Sequence, residues 1–343
     1  IAAAVCAAGA VSYGLLHRAP AARPGPAQAR AEAPGPTPQP EEPAAPPQRA
    51  PSESELRAMV QAEVQGALKP AARPEIGSEV DVPSYGVDAD EARAALVVGI
   101  EGYPDLPAAD FAAHDARAVR DHLLALGFPP RNTMLLTNGE ATKGKMTSAL
   151  NSWLPKHAAA GSTVFFYYSG HGAPDPATRQ AYLVPSDGEA ENLPDTAIPL
   201  RQVYAKLSAL KARHVVVALD ACFSGLGGRS ILPKGIRPLV TRVDASAAGP
   251  NKLTILSASG PEQISGSLAR EGHGTFTYFL LKGLNGPAVD QRGRITAASL
   301  FRYLRPQVED AARLQNREQT PQLLLGEDAE VVLRDADDPG ARR

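Results

Sequence analysis

STVFFYYSGHG, Ser162 to Gly172, and HVVVALDACFSG, His214 to Gly225, decide the fold. Each begins as an apolar and aromatic run with no polar alternation, the pattern of a strand covered on both faces. Each then changes abruptly to small and polar residues closed by glycine, the signature of a chain leaving the core. His171 stands where the first run stops and Cys222 where the second does. Two buried strands therefore deliver an imidazole and a thiol to their ends.

Working outward, AALVVGIEGY (Ala94–Tyr103) reads as another buried strand closed by glycine and Pro104. AAHDARAVRDHLLALG (Ala112–Gly127) has helical spacing through Ala116, Val119, Leu123, Leu124 and Leu126, with a glycine stop. NTMLLTN (Asn132–Asn138) is a strand and TKGKMTSALNSWLPKHAAA (Thr142–Ala160) a helix. LRQVYAKLSALKA (Leu200–Ala212) is again a helix, and LTILSASG (Leu253–Gly260) a strand. Strands alternating with helices predict an α/β fold with a central, mostly parallel sheet sandwiched by helices in three layers. Active sites of such sheets sit at the carboxyl ends of the strands.

The 343 residues are 43% hydrophobic and 21% charged, enough for one large core. A net charge of −2 gives no electrostatic case for nucleic acid as a partner. Two cysteines, Cys6 and Cys222, supply neither a disulfide framework nor a thiolate metal cluster. Residues 1–16, IAAAVCAAGAVSYGLL, read as the remnant of a signal anchor or signal peptide, which predicts a membrane-anchored or exported envelope protein. Residues 17–52 read as an extended tether, with eleven of the 32 prolines between Arg18 and Ser52. In residues 53–69, Leu56, Met59, Val60, Val64 and Leu68 share one face of an amphipathic helix stopped by Pro70. Residues 70–93 read as a second linker, 94–335 as the catalytic domain and 336–343 as a tail.

A thiol of ordinary pKa, about 8.5, is only a few per cent thiolate at neutral pH, and an adjacent imidazole changes that. His171 and Cys222 lie 51 residues apart. Neighbouring strands would bring both to one end of the sheet as base and nucleophile. Gly172 lets a backbone N–H approach a substrate oxygen, and with the Cys222 N–H it forms a candidate oxyanion hole. His273, in EGHGTFTYFLLKG, also precedes a glycine, but it follows a polar loop and is assigned to the turn and cap of a helix.

The pairing of YYSGHG with ALDACFSG resembles the caspase-like cysteine peptidases, in particular the metacaspase and bacterial orthocaspase branch. The histidine stands about 50 residues upstream of the cysteine in caspases too. Caspases carry Gln-Ala-Cys, whereas Asp220-Ala221-Cys222-Phe223-Ser224-Gly225 is similar to the metacaspase pattern. GIEGY, AAHDARAVRDHL, SASGPEQISGS, GTFTYFLLKGL and QTPQL extend the resemblance over about Ala94 to Leu333. It implies a Cys222–His171 dyad hydrolysing peptide bonds. It also implies a P1 pocket lined by Asp115, Ser169 and Asp220, whose two carboxylates suit an Arg or Lys side chain.

A protein or peptide partner with a basic P1 residue and a monomeric state are expected, with membrane contact through the N-terminal segment. The runner-up is a catalytically silent caspase-fold scaffold that binds basic peptides. Within residues 226–252, Arg229, Lys234, Arg237 and Arg242 read either as self-cleavage sites or as a solvated basic loop. Family calcium sites have counterparts in Asp187 and Asp195, but a further acidic position is Arg229 here, a cation that opposes Ca²⁺. The expectation is therefore no cofactor and no metal site.

Overall fold

In the computed structural model the chain is described over residues 77–175, 178, 180–223, 252–260, 263–326 and 330–335. The proposed anchor, tether and helix at 53–69, the basic stretch 226–251 and the tail 336–343 lie outside the described residues. Among the described residues no helix is long and apolar enough to cross a membrane.

The strands in chain order are β1 (Arg93–Gly99), β2 (Thr133–Thr137), β3 (Thr163–Ser169), β4 (Gly172–Pro174), β5 (Ala181–Leu183), β6 (Ile198–Pro199), β7 (His214–Asp220) and β8 (Leu253–Ser257). Then come β9 (Ser267–Leu268), β10 (His273–Gly274), β11 (Arg294–Thr296), β12 (Gln322–Leu324) and β13 (Val332–Asp335). The helices are α1 (Ala112–Ala125), α2 (Lys143–Ser148), α3 (Leu154–His157), α4 (Leu193–Thr196), α5 (Leu200–Ser208), α6 (Thr275–Leu284) and α7 (Ala297–Leu314).

Six strands form the main sheet in the order β12–β8–β7–β3–β1–β2. All neighbouring pairs are parallel except β12, which runs antiparallel to β8 at one edge. The chain steps from β1 outward to β2, then returns to the other side of β1 as β3. That reversal makes the carboxyl ends of β1 and β3 the switch point where such sheets open a crevice.

Successive strand residues point to opposite faces, which explains the unbroken apolar runs. Leu96, Val98, Val164, Phe166, Tyr168, Val215, Val217 and Leu219 face one core, with Met146, Leu154, Val203 and Leu207 from the helices on that side. Ala95, Val97, Phe165, Tyr167, Val216 and Ala218 face the other, packed by Val119 and Leu123 of α1, Phe276 and Leu281 of α6, and Leu304 and Val308 of α7. The three-layer arrangement follows. The predicted helix at 142–160 is interrupted by a π-helical turn, Ala149–Trp153, just before Pro155 at the start of α3. The wider turn accommodates a residue that has no N–H to donate.

Gly99 closes β1 where helix α1 passes directly over it. A Cβ there would lie 2.3 Å from the Ala112 carbonyl oxygen and 2.4 Å from the Ala116 Cβ. That close approach sets the depth of the first turn of α1.

Residues 77–92 carry no periodicity and read as linker, yet they hold Val80 and Tyr85 in the core. The Tyr85 hydroxyl donates to His122 Nδ1 at 2.9 Å, and His122 Nε2–H donates to the Val80 carbonyl at 2.8 Å. One ring proton satisfies both contacts, so the buried ring is neutral. Burial holds its pKa down to about 4, against the pull of the Val80 carbonyl. The unfolded ring titrates near 6.5 and binds a proton that the folded ring refuses between pH 6.5 and about 4. Stability from this group is fully present above pH 6.5 and is lost as pH falls through that window, on the order of 3 kcal/mol in all. Thermal midpoints measured across pH 7 to 4 are expected to fall more steeply for the native chain than for His122→Gln.

Candidate active site

The carboxyl ends of β3 and β7 are in register, with Ser169 opposite Asp220. Gly170 N–H continues the ladder to the Asp220 carbonyl at 3.4 Å. His171 and Cys222 each lie two residues beyond that pair, on chains spaced by one strand separation, about 4.8 Å. Gly172 confirms the approach: a Cβ at this position would meet the Cys222 carbonyl oxygen at 2.5 Å and the Phe223 ring at 2.8 Å. Any side chain larger than hydrogen would push the two strand ends apart.

His171 is held on every side. Its backbone N–H donates to the Tyr103 hydroxyl at 2.9 Å, and its carbonyl accepts from the Tyr168 hydroxyl at 2.7 Å. Both hydroxyls also reach the Val184 carbonyl, at 3.1 and 2.8 Å. The Tyr103 and His171 rings have centroids 4.6 Å apart with planes tilted by 43°. His171 Nε2 lies 2.6 Å from the Pro107 carbonyl oxygen. A carbonyl only accepts, so the proton of the neutral ring sits on Nε2 and Nδ1 is left as the basic atom.

Cys222 is fully buried. The Ser265 N–H points at its Sγ from 2.7 Å, and the Ser265 carbonyl oxygen lies 3.7 Å from the same sulfur, within reach of a thiol proton. Val184 N–H donates to the His171 carbonyl, so the Gly172–Leu183 couple of the β4–β5 ladder is of the non-hydrogen-bonded kind. The Gly172 N–H therefore faces away from β5.

The three residues expected to line a pocket also meet. Ser169 Oγ donates to Asp115 Oδ2 at 3.4 Å, and Asp220 is the register partner of Ser169. All three are fully buried. Their carboxylates are not simply an opposed pair awaiting a cation. Asp220 Oδ2 accepts from Thr277 Oγ1 at 2.7 Å and from Thr277 N–H at 3.3 Å. Asp115 accepts from His273 Nδ1 at 2.8 Å and from Gly274 N–H at 3.2 Å on both oxygens. His273, assigned from sequence to a turn, is thus a buried partner of this group; burial opposes its charge, but Asp115 and Asp81 outweigh that and raise its pKa.

At the counterparts of the family's calcium positions, Asp187 accepts from the Lys143 N–H at 2.7 Å, and the Lys143 ammonium donates to the Asp195 backbone carbonyl. Sequence reasoning missed Pro107, Tyr103, Tyr168, Thr277 and the Ser265 N–H. Two of these act through backbone atoms, which carry no residue signature. The tyrosines left a faint signal, hydroxyl-bearing aromatics in a run otherwise built for a dry core.

The family model of the caspase domain matches residues 92–327. A probable protease from a Desulfuromonadales bacterium is 26% identical over 248 residues, 62% of this chain and 29% of that protein. Metacaspase-1 of Mycosarcoma maydis is 29% identical over 151 residues, 39% of this chain and 36% of that protein. The matched stretches thus span about a third of each curated relative. A crystal structure of a Geobacter sulfurreducens protein aligns with a TM-score of 0.49 at 19% identity, over 68% of this chain and 92% of that one.

Tyr103→Phe strips the acceptor from the buried His171 N–H, a loss of about 1–3 kcal/mol. The urea midpoint of this variant is expected to fall accordingly, with the slope of the transition unchanged.

Proposed function

This chain belongs to the caspase-domain peptidase family, and on that premise we propose that it is a cysteine endopeptidase using Cys222 as nucleophile and His171 as base. The observation that carries the reading is the register of β3 and β7, which sets both residues two steps beyond one cross-strand pair. With Nε2 held by the Pro107 carbonyl, Nδ1 takes the Cys222 proton. The sulfur then bonds to the scissile carbonyl carbon, and the imidazolium returns its proton to the leaving amine as the C–N bond breaks. Water hydrolyses the thioester and restores the thiol. Gly172 and Cys222 N–H groups hold the oxyanion, a role in which one donor is worth about 10²–10³ in rate.

We assign the pocket of Asp115, Ser169 and Asp220 to an Arg or Lys side chain at P1. Two buried carboxylates, Asp115 and Asp220, flank Ser169 there, and paired carboxylates favour a cation between them. The silent-scaffold reading has no use for a ring proton fixed on Nε2, and a peptidase does.

Cleavage of peptides with Arg, Lys or Asp at P1 tests both levels. Cys222→Ala and His171→Ala are expected to lose turnover by at least about 10³ while their melting temperatures stay near that of the parent. Persistent hydrolysis in Cys222→Ala would remove the nucleophile assignment. Asp220→Asn is expected to reduce kcat/KM for Arg peptides by about tenfold or more and to leave alkylation of Cys222 by uncharged reagents intact. Equal loss of both would count against the basic pocket.

A further inference from the structure

Beside the candidate active site, Asp81, His114 and His273 make hydrogen bonds whose protons do not add up. His114 presents Nδ1 to the Gly272 carbonyl at 2.9 Å and Nε2 to Asp81 Oδ1 at 2.8 Å. His273 presents Nδ1 to Asp115 Oδ1 at 2.8 Å and Nε2 to the same Asp81 oxygen at 3.0 Å. Three of these contacts are hydrogen bonds to acceptors and the fourth is an ion-pair contact, whereas two neutral imidazoles carry two ring N–H groups. Each carboxylate also accepts from the backbone. Both oxygens of Asp115 accept from Gly274 N–H, and Asp81 Oδ2 accepts from Ser78 N–H at 2.7 Å.

Protonating both rings would stack two imidazolium rings with centroids 4.5 Å apart and planes 23° from parallel, one of them fully buried. Like charges at that distance oppose one another. His122, by contrast, meets one donor and one acceptor and needs a single ring proton.

We propose that this cluster holds one divalent cation of the zinc class, on His114 Nε2, His273 Nε2 and Asp81 Oδ1. These atoms lie within 4.8 Å of one another. An ion with ligand bonds of about 2.0–2.1 Å fits among them after a shift of the Asp81 carboxylate, whose Oδ1 now lies 2.8 and 3.0 Å from the two nitrogens. Each ring then keeps a single proton, on Nδ1, donated to Asp115 or to the Gly272 carbonyl. Metal-ligating histidines ordinarily anchor their second nitrogen in this way, which fixes the tautomer and the ring plane. Two imidazoles and a carboxylate select Zn²⁺, Co²⁺ or Ni²⁺ over Ca²⁺ and Mg²⁺.

The side chains of Asp81 and His114 are 23% and 32% exposed, so an ion has a route in and water a fourth position. The ligands come from the turn at residues 78–81, the first turn of α1 and strand β10. Bound metal therefore ties residues 77–92 to the domain and, through His273, steadies Asp115. The sequence reading, which expected no metal because Arg229 opposes Ca²⁺, did not weigh these three residues together; 33 and 159 positions separate them, with no short-range motif to read.

The inference does not depend on peptidase activity. Full-length chain stripped with a chelator is titrated with Zn²⁺ at pH 7.5 against a chromophoric competitor, and Co²⁺ is added separately to record its visible bands. One equivalent of Zn²⁺ is expected to bind with Kd below about 10 μM, and Co²⁺ to give the intense visible bands of a four-coordinate site. His114→Gln and Asp81→Asn, each verified as folded by circular dichroism, are expected to bind about 10–100-fold more weakly. Cys222→Ala combined with His171→Ala is expected to bind like the parent, which separates this site from the thiol and its base. Absence of a stoichiometric site, or parental affinity in both ligand variants, would overturn the proposal.

Discussion

Everything at the candidate site depends on one parallel strand pairing. β3 and β7 are matched residue for residue from Thr163 opposite His214 to Ser169 opposite Asp220. Side chains alternate with a period of two, so a slip of one residue would reverse every inward and outward position on one strand. The two cores exclude that slip, because Phe166, Tyr168, Val217 and Leu219 fill one side while Phe165, Tyr167, Val216 and Ala218 fill the other. Apolar packing along seven residues is what aligns the chemistry beyond them.

Past the strand ends the driving force changes from burial to hydrogen-bond satisfaction. The two tyrosine hydroxyls hold the His171 backbone at its N–H and its carbonyl, and the Pro107 carbonyl selects its tautomer. On the other face of the sheet Tyr167 of β3, Thr277 of α6 and Asp220 of β7 form a buried relay, with 2.7 Å contacts from tyrosine to threonine and from threonine to carboxylate. Such networks are costly when incomplete and rigid when complete. Rigidity suits a pair of groups that must meet at a fixed distance.

How much of this could be read from sequence follows from the range of each signal. The strands and the principal helices were legible because burial writes itself into unbroken or periodic apolar runs. His171, Cys222 and Gly172 were legible because they interrupt those runs at the point where a strand ends. Asp115, Ser169 and Asp220 came from the resemblance rather than from any spacing, and their companions His273, Gly274 and Thr277 were not foreseen. The antiparallel edge strand β12 and the small β4–β5–β6 sheet are short and left no pattern. Residues 77–92 looked like a linker because their contacts are made singly, by Val80, Asp81 and Tyr85, and single contacts have no period.

Neighbours in a parallel sheet cannot be joined by a tight hairpin. Between β3 and β7 the chain must leave the sheet, lay down β4 to β6 and α5, and return before Cys222 reaches His171. Pairings with so large a loop to close form late and slowly in folding. If the proposed dyad is the reactive pair, a nascent or partly collapsed chain would carry its sulfur and its imidazole far apart, and reactivity would arrive only with the finished architecture.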